Sequence, residues 1–228
     1  MTPRMIDHDT SHAAALERVA QHLPNLSLFV DVGAAAGGYT ELFRQFWPMA
    51  HVTMVEAASA WEPTLKDFVR TIGNADFTIA AASNADGELS FVYDEDSPFG
   101  GHTNNGRSSD GAEESLVAAL RLDTIVPPSK VPSQGVALKL DTHGHEVAIL
   151  EGATNLMQSV DLLILETYNF GPASRRFGQM TVLLEEKYGL RCFDLVEPKW
   201  RPYDGALWQL DLFFVSERHS QISEWRLS

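Results

Sequence analysis

Cysteine is almost absent from this chain: among its 228 residues, only Cys192 is a cysteine. A single cysteine excludes an internal disulfide and is typical of proteins in the reducing cytoplasm, which is the location that we expect. A membrane helix needs about 18 consecutive apolar residues. No run in the chain approaches that length, so we predict no membrane span. The first residues also lack the apolar segment of a signal peptide.

Positive charge is also scarce. The chain has 17 lysines and arginines against 31 aspartates and glutamates, which gives a formal net charge of −14. No run of basic residues offsets this excess, and a negatively charged surface repels phosphate backbones. We therefore expect no nucleic-acid partner. The sequence leaves the oligomeric state open.

The motifs of several common enzyme classes are missing. The chain has no Walker loop, no G-x-S-x-G nucleophile elbow and no pair of cysteines at metal-binding spacing. These absences argue against a P-loop nucleotide hydrolase, an α/β-hydrolase and a cysteine-ligated zinc site.

The chain does have a regular alternation of apolar runs and helical periodicities. Five strand–helix units followed by two consecutive strands predict an α/β fold. We expect a mainly parallel seven-stranded sheet with an antiparallel C-terminal hairpin and helices on both faces. The predicted strands are 28–32, 51–56, 77–82, 136–141, 161–166, 191–196 and 207–215, with a further strand through 89–93, and the predicted helices are 11–23, 39–47, 62–72, 145–158 and 174–188.

The alternation continues across the stiff proline-rich stretch 126–132, so we predict one domain over residues 1–228. Within it, residues 1–27 form an N-terminal helical extension. Residues 94–115 are polar, rich in glycine and serine, and aperiodic. A loop of that length in a compact domain is usually a functional lid or a flexible segment, and we expect a lid over the substrate here.

Two strand ends carry the residues of a ligand site. Strand 28–32 contains Asp31 and leads into a turn with Gly33 and Gly37, where backbone and ligand can approach closely at a helix N-terminus. The spacing G-x-x-x-G favours a smaller ligand with an amine and a carboxylate over a dinucleotide, which prefers G-x-G-x-x-G. Glu56 ends the next strand and suits ribose hydroxyls. Each feature alone also fits a purely structural turn, but together they favour an adenosine-type cofactor.

A third strand end, after 136–141, is the densest in titratable groups. Lys139 and Asp141 are two residues apart and share one face of the strand, where pairing is the expected role of a buried lysine. His143 or His145 is able to act as a general base because histidine titrates near neutrality. A solvated turn is the more common role of either histidine.

The same region raises the question of a metal. Asp141, His143, His145 and Glu166 are all ligand types: carboxylates suit Mg²⁺, and histidines favour Zn²⁺ or Mn²⁺. However, the chain has no H-E-x-x-H and no other recognisable ligand spacing. We therefore predict no metal site.

Taken together, these motifs resemble the FkbM family of S-adenosylmethionine-dependent methyltransferases, from about residue 28 to 168. The Lys-x-Asp-x-x-Gly-x-Glu element followed by Gly-Ala is the most specific part, whereas the glycine turn alone would not identify the family. The motifs are Asp31-Val32-Gly33-Ala34, Val55-Glu56-Ala57, Ala81-Ala82-Ser83, Leu122-Asp123, Leu138-Lys139-Leu140-Asp141 with Gly144 and Glu146, and Leu150-Glu151-Gly152-Ala153, with Glu166 after the fifth strand.

The resemblance implies a Rossmann-like class I methyltransferase fold, S-adenosyl-L-methionine as cofactor and a hydroxyl of a sugar, polyketide or related metabolite as acceptor. It also assigns residues to the cofactor: Gly33 and Gly37 at the methionine part, Glu56 and Ala57 at the ribose, Ala82 and Ser83 at the adenine edge, and Asp141 near the amino group and the methyl donor.

Two positions depart from the family pattern. The first turn of the family commonly reads Asp-x-Gly-Ala-Asn-x-Gly, and Ala35 replaces the asparagine here, so any polar contact from that side chain is lost. The position two residues after Asp141 usually holds Glu or Gln, and here it is His143. A histidine base at this position is therefore not inherited from the family.

We accordingly predict a methyltransferase that acts on a small-molecule or glycan hydroxyl, with Asp141, His143 and Glu166 as catalytic residues. Three alternatives remain. A non-catalytic S-adenosylmethionine-binding module is favoured by Ala35, and a nicotinamide-dependent oxidoreductase is disfavoured by the missing G-x-G-x-x-G. A metal-dependent methyltransferase is a third, weaker alternative.

Overall fold

The computed structural model describes residues 8–94, 97–103, 114–169 and 175–219. The strands are β1 (Leu28–Val32), β2 (His51–Glu56), β3 (Ala75–Ile79), β4 (Ala81–Ala82), β5 (Gly87–Asp94), β6 (Ser97–Thr103), β7 (Glu114–Leu120), β8 (Val136–Leu140), β9 (Val160–Tyr168), β10 (Leu190–Trp200) and β11 (Leu207–Ser216). The α-helices are α1 (His12–Ala20), α2 (Gly38–Arg44), α3 (Glu62–Ile72), α4 (Leu122–Ile125), α5 (Glu146–Glu151) and α6 (Phe177–Tyr188).

The main sheet has seven strands in the order β10-β11-β9-β8-β1-β2-β3. The five strands from β9 to β3 are parallel, and β11 and β10 continue the sheet antiparallel. This arrangement confirms the predicted fold class and its C-terminal hairpin. In the register, Val32 is opposite both Val55 and Leu140. The residues that follow β1, β2 and β8 therefore meet at one edge of the sheet.

Helices cover both faces of this sheet because the central strands are buried on both sides. On one face, α1, α2 and α3 pack against β1, and the Phe29 and Phe43 rings stack with their centroids 4.0 Å apart. On the other face, the apolar side chains of α4, α5 and α6 pack against β8 and β9. Leu16 and Val19 of α1 are fully buried, so the predicted N-terminal segment 1–27 contributes a helix to the core.

A second sheet was not predicted from the sequence. Its order is β4-β7-β5-β6, and β5 pairs antiparallel with both β6 and β7. The predicted strand 77–82 is divided, because its first part continues the main sheet as β3 and Ala81–Ala82 joins the second sheet as β4. The expected loop 94–115 contains β6 and the first residues of β7, whereas 95–96 and 104–113 lie outside the described residues.

The predicted helix 145–158 ends early. α5 stops at Glu151, and a short 3₁₀ turn follows at Leu156–Gln158. A side chain at Gly152 would place its Cβ 2.0 Å from the Ser83 carbonyl oxygen, so only glycine allows the two backbones to approach here. The Asp123 carboxylate then accepts hydrogen bonds from the backbone N–H groups of Asn155 and Leu156 at 2.9 to 3.1 Å.

We expect Asp123→Ala to lower the free energy of unfolding by roughly 2–4 kcal/mol, because two backbone donors lose their acceptor beside the buried Leu156. Chemical denaturation followed by circular dichroism measures the change. Asp67→Ala is the matched control, since the Asp67 side chain is 80% exposed and pairs only with Arg70 among the ion pairs of the described residues. A similar loss in both variants would contradict the prediction.

Within the described ranges, no helix combines the length and the apolar character that a membrane-crossing helix needs.

A candidate active site at the carboxyl edge of the main sheet

A pocket opens where β1, β2 and β8 end. Ligands of open α/β sheets commonly bind at this edge. The second sheet closes the opposite side. The lining residues are Val32, Gly33, Ala35, Val55, Glu56, Ala57, Trp61, Ala80, Ala81, Ala82, Phe91, Gly101, Thr103, Asp141, Thr142, His143, His145 and Ile149.

Gly33 brings the ends of two strands into contact. Its backbone has φ +79°, and a Cβ at this position would lie 2.0 Å from the Asp141 carbonyl oxygen. Its N–H donates to the Val55 carbonyl at 2.9 Å. Gly37 also has a positive φ, +86°, but a Cβ there would meet the Phe68 ring at 2.7 Å. Gly37 therefore serves the packing of α2 and is not among the lining residues.

Glu56 lies on the pocket wall and is only 7% exposed. Oε2 accepts a hydrogen bond from the Ala35 N–H and Oε1 accepts one from the Ala58 N–H, each at 2.8 Å. Burial raises the pKa of this carboxyl group. Each oxygen keeps a second lone pair for a ligand hydroxyl. Ala35 has φ +45°, a left-handed conformation that asparagine tolerates better than alanine, and here its backbone supplies the polar contact of the turn.

Asp31 lies behind the glycine turn and is fully buried. Its Oδ2 accepts a hydrogen bond from Thr40 Oγ1 at 2.8 Å, and among the described residues Oδ1 has no hydrogen-bond partner. The Lys139 ammonium is 3.9 Å from Asp31 Oδ1 and 2.9 Å from Asp141 Oδ2. The structure thus shows the predicted pairing of Lys139, which joins the carboxylates of β1 and β8.

Beyond the end of β8, His143 faces two carboxyl groups. Its Nε2 is 3.6 Å from Glu166 Oε2 and 4.0 Å from Asp141 Oδ1. Its Nδ1 is 3.2 Å from the Gly101 carbonyl oxygen. Because a carbonyl only accepts, the proton of the neutral ring lies on Nδ1, and Nε2 presents a lone pair. His143 has φ +54°, which is uncommon for a residue with a side chain and turns the ring toward Glu166.

Glu166 is held in place by two buried neighbours. The Tyr168 hydroxyl donates to Oε2, and Gln209 Nε2 donates to Oε1. Burial, followed by the negative charge of Asp141, raises the pKa of Glu166 to about 8. At neutral pH, the carboxyl groups of Glu166 and Asp141 together therefore carry less than two negative charges.

His145 belongs to a different part of the wall. Its Nε2 lies 3.0 Å from Ser83 Oγ, and its Nδ1 lies 3.3 Å from Thr103 Oγ1. Burial lowers the pKa of this ring, which favours the neutral form. His145 thus connects the end of β4 with β6 and is not part of the cluster of Asp141, His143 and Glu166.

The structure brings most of the predicted site residues together. Six of the predicted residues line the pocket: Gly33, Glu56, Ala57, Ala82, Asp141 and His143. Four are not among the lining residues: Asp31, Gly37, Ser83 and Glu166. Three further residues were not identified from the sequence: Gly101, Tyr168 and Gln209. Gly101 is in a strand that has no local signal, and Gln209 reaches Glu166 only through the pairing of β11 with β9.

Residues 31–192 match the family model described as the methyltransferase FkbM domain. The chain belongs to this family. The resemblance between the sequence motifs and the FkbM family is thereby confirmed, over a range that begins at Asp31 and includes every residue of the pocket wall.

This FkbM-family chain is similar in sequence to one characterised protein and similar in fold to several solved structures. The hexuronic acid methyltransferase AglP of Haloferax volcanii is 30% identical over 116 residues, which are 48% of this chain and 46% of that protein. The chain thus aligns with less than half of that relative. Among solved structures, the methyltransferase FkbM of Methylobacillus flagellatus has a TM-score of 0.51 at 15% identity. The superposition covers 82% of this chain and 44% of the FkbM chain. EvdMO1 has a TM-score of 0.50 at 10% identity, and the superposition covers 92% of this chain and 42% of the EvdMO1 chain. At these identities the structural likeness shows the fold alone.

Proposed function

We propose that this FkbM-family protein is an S-adenosylmethionine-dependent O-methyltransferase that acts on a hydroxyl of a sugar, a polyketide or a related metabolite. The observation that carries the proposal is the convergence of three family motifs on one pocket. Gly33, Glu56 and Asp141 come from three strand ends and line the same wall, and His143 lies beside them. Ligands of open α/β sheets bind at this edge.

The pocket fits the cofactor chemically. Asp31 Oδ1 is buried without a hydrogen-bond partner in the described part of the chain, which suits the positively charged amino group through a water-bridged contact. Glu56 has free lone pairs for the ribose hydroxyls. The residues that would hold the cofactor are Asp31, Gly33 and Asp141 at the methionine part, Glu56 and Ala57 at the ribose, and Ala82 and Ser83 at the adenine, whereas Gly37 supports the glycine turn through its packing against Phe68.

S-adenosylmethionine supplies a methyl group that its sulfonium already activates. The protein therefore has to align the acceptor oxygen, and well-aligned reactants gain roughly 7–11 kcal/mol from proximity. The hydroxyl proton passes to His143 Nε2, whose lone pair faces the acceptor side of the pocket. The imidazolium that forms lies 3.6 Å from Glu166 and 4.0 Å from Asp141, and the negative charge of Asp141, whose pKa is lowered by the neighbouring Lys139, stabilises it.

A small hydroxylated acceptor is the class that the relatives support. The hexuronic acid methyltransferase of Haloferax volcanii is named for a sugar substrate. We propose a sugar hydroxyl as the first acceptor class to test, with methyl transfer to glucuronic acid and glucose followed by mass spectrometry.

The first measurement is a calorimetric titration of the purified protein with S-adenosylmethionine, S-adenosylhomocysteine and NAD. We expect selective binding of the two sulfur ligands. Binding of NAD alone would support an oxidoreductase and overturn the proposal. Binding of both sulfur ligands without methyl transfer to any hydroxyl acceptor would support the non-catalytic module, which the alanine at position 35 favours.

We expect Glu56→Ala to weaken S-adenosylhomocysteine binding by about 10–100-fold, because hydrogen bonds to a charged acceptor contribute about 1.5–3 kcal/mol. The same calorimetric titration measures this loss. Glu186→Ala removes an exposed carboxylate of α6 and is the matched control. Unchanged affinity in Glu56→Ala would remove Glu56 from the cofactor site.

A further inference from the structure

The cluster of Asp141, His143 and Glu166 has the arrangement of a metal site. Asp141 is held through Oδ2 by Lys139 at 2.9 Å and presents Oδ1. His143 is held through Nδ1 by the Gly101 carbonyl at 3.2 Å and presents Nε2. In metal sites, the ligating imidazole usually donates its other N–H to a carbonyl or carboxylate, and this contact orients the ring.

Glu166 completes the set. Gln209 holds its Oε1, and Tyr168 donates to Oε2, which lies 3.6 Å from His143 Nε2. Both neighbours are 8% exposed, so they hold the carboxylate in a buried environment. Each of the three side chains is thus fixed by groups around the cluster and directs a ligand atom toward its centre.

The distances suit a cation of the size of zinc. The three ligand atoms lie within 4.8 Å of one another, and Nε2 is 3.6 Å and 4.0 Å from the two oxygens. A tetrahedral zinc ion with bonds of about 2.0–2.1 Å sets its ligand atoms about 3.3 Å apart. Binding of zinc would therefore draw the Asp141 and His143 side chains, each about one-third exposed, closer to Glu166.

The electrostatics also favour a cation. Two carboxyl groups and one imidazole face one another, and the nearby Lys139 ammonium is already shared by Asp31 and Asp141. One imidazole and two carboxylates form a nitrogen and oxygen ligand set that binds Zn²⁺ with one position left for water.

We propose that Asp141, His143 and Glu166 bind one Zn²⁺ ion. This site replaces our expectation from the sequence of no metal. The zinc ion uses the lone pair of His143 Nε2 that takes the acceptor proton in the proposed function. The zinc-bound protein is therefore inactive toward a hydroxyl acceptor. That consequence rests on the proposed function, whereas the binding of zinc does not.

Calorimetric titration of the tag-free protein with ZnCl₂, without cofactor or acceptor, tests the site. We expect one ion per chain and an affinity at least about tenfold weaker in both His143→Ala and Glu166→Gln. His51→Ala is the matched control, because His51 forms another histidine–aspartate pair, with Asp76 at 3.2 Å, outside the cluster. We expect the control to bind zinc like the wild type. No zinc uptake by the wild type, or unchanged uptake in both cluster variants, would overturn the proposal.

A second measurement needs no substitution. Co²⁺ absorbs visible light much more strongly in a four-coordinate site, such as three protein ligands and one water, than with six waters, so the wild-type protein should develop an intense visible band that ZnCl₂ abolishes. A Co²⁺ spectrum like that of the aqueous ion would count against the site. S-adenosylhomocysteine titration of the same protein sample reports on the cofactor pocket, so failure of the metal site is distinguishable from failure of the proposed function.

Discussion

Replacing His143 with alanine is expected to slow methyl transfer by about 10²–10⁴-fold, the contribution typical of a positioned general base. Equilibrium binding of S-adenosylhomocysteine should change by less than about threefold, since the residues that we propose for the cofactor do not include His143. The structural reason is the orientation of the ring. The Gly101 carbonyl keeps the proton on Nδ1, so Nε2 is free to accept one.

Two variants make this result specific to the base. His143→Gln introduces one of the residue types usual in the family at this position, and it keeps hydrogen-bonding groups without a basic nitrogen. We expect it to remain slow. His22→Ala removes an exposed histidine outside the pocket and should retain full activity. A fully active His143→Ala protein would show that His143 is not the base and that alignment alone carries the reaction.

Replacing Gly33 with alanine should be the most damaging single-methyl change in the pocket. The Cβ would lie 2.0 Å from the Asp141 carbonyl oxygen, and the φ of +79° is unfavourable for any L-residue other than glycine. The backbone conformation alone costs about 1–2 kcal/mol. Separation of two paired central strands adds to this cost, and we expect a total loss of roughly 3–5 kcal/mol in unfolding free energy. For a chain of this size, the loss corresponds to a melting temperature lower by roughly 6–20 °C.

Gly38→Ala is the matched control for Gly33→Ala. Gly38 begins α2, has no atom within 4 Å of an added Cβ and has no positive φ. Alanine there should change stability by less than about 1 kcal/mol, in the stabilising direction. Differential scanning calorimetry of both variants measures the difference. Equal melting temperatures for the two variants would mean that the contact between Gly33 and Asp141 is not tight in solution.

Local patterns determined much of the fold in advance. The predicted strands 28–32 and 51–56 and the helix 62–72 have the observed bounds, because apolar runs, helical spacing and proline at the first turn are signals within a few residues of one another. The candidate cofactor residues Gly33 and Glu56 were predictable for the same reason. Each follows or ends a strand of a recognisable parallel sheet, and such ends converge at one edge.

The second sheet could not be predicted in this way. β6 is rich in polar residues and glycine, and it pairs with β5, where Val92 is opposite His102. Pairing of this kind depends on the partner strand and leaves no periodicity in the strand itself. The break after α5 likewise depends on the approach of Gly152 to Ser83, which are far apart along the chain.

The amino-acid sequence by itself therefore determined the α/β class, the order of the main elements, the family and the strand ends that carry carboxylates and glycines. Only the tertiary structure decided the surroundings of His143 and Glu166. The position of the proton on the His143 ring depends on the Gly101 carbonyl of β6, and the orientation of the Glu166 carboxyl group depends on Gln209 of β11. These contacts join residues about 40 positions apart in the chain, and hydrogen bonds of that kind depend on angles and distances that no local pattern encodes.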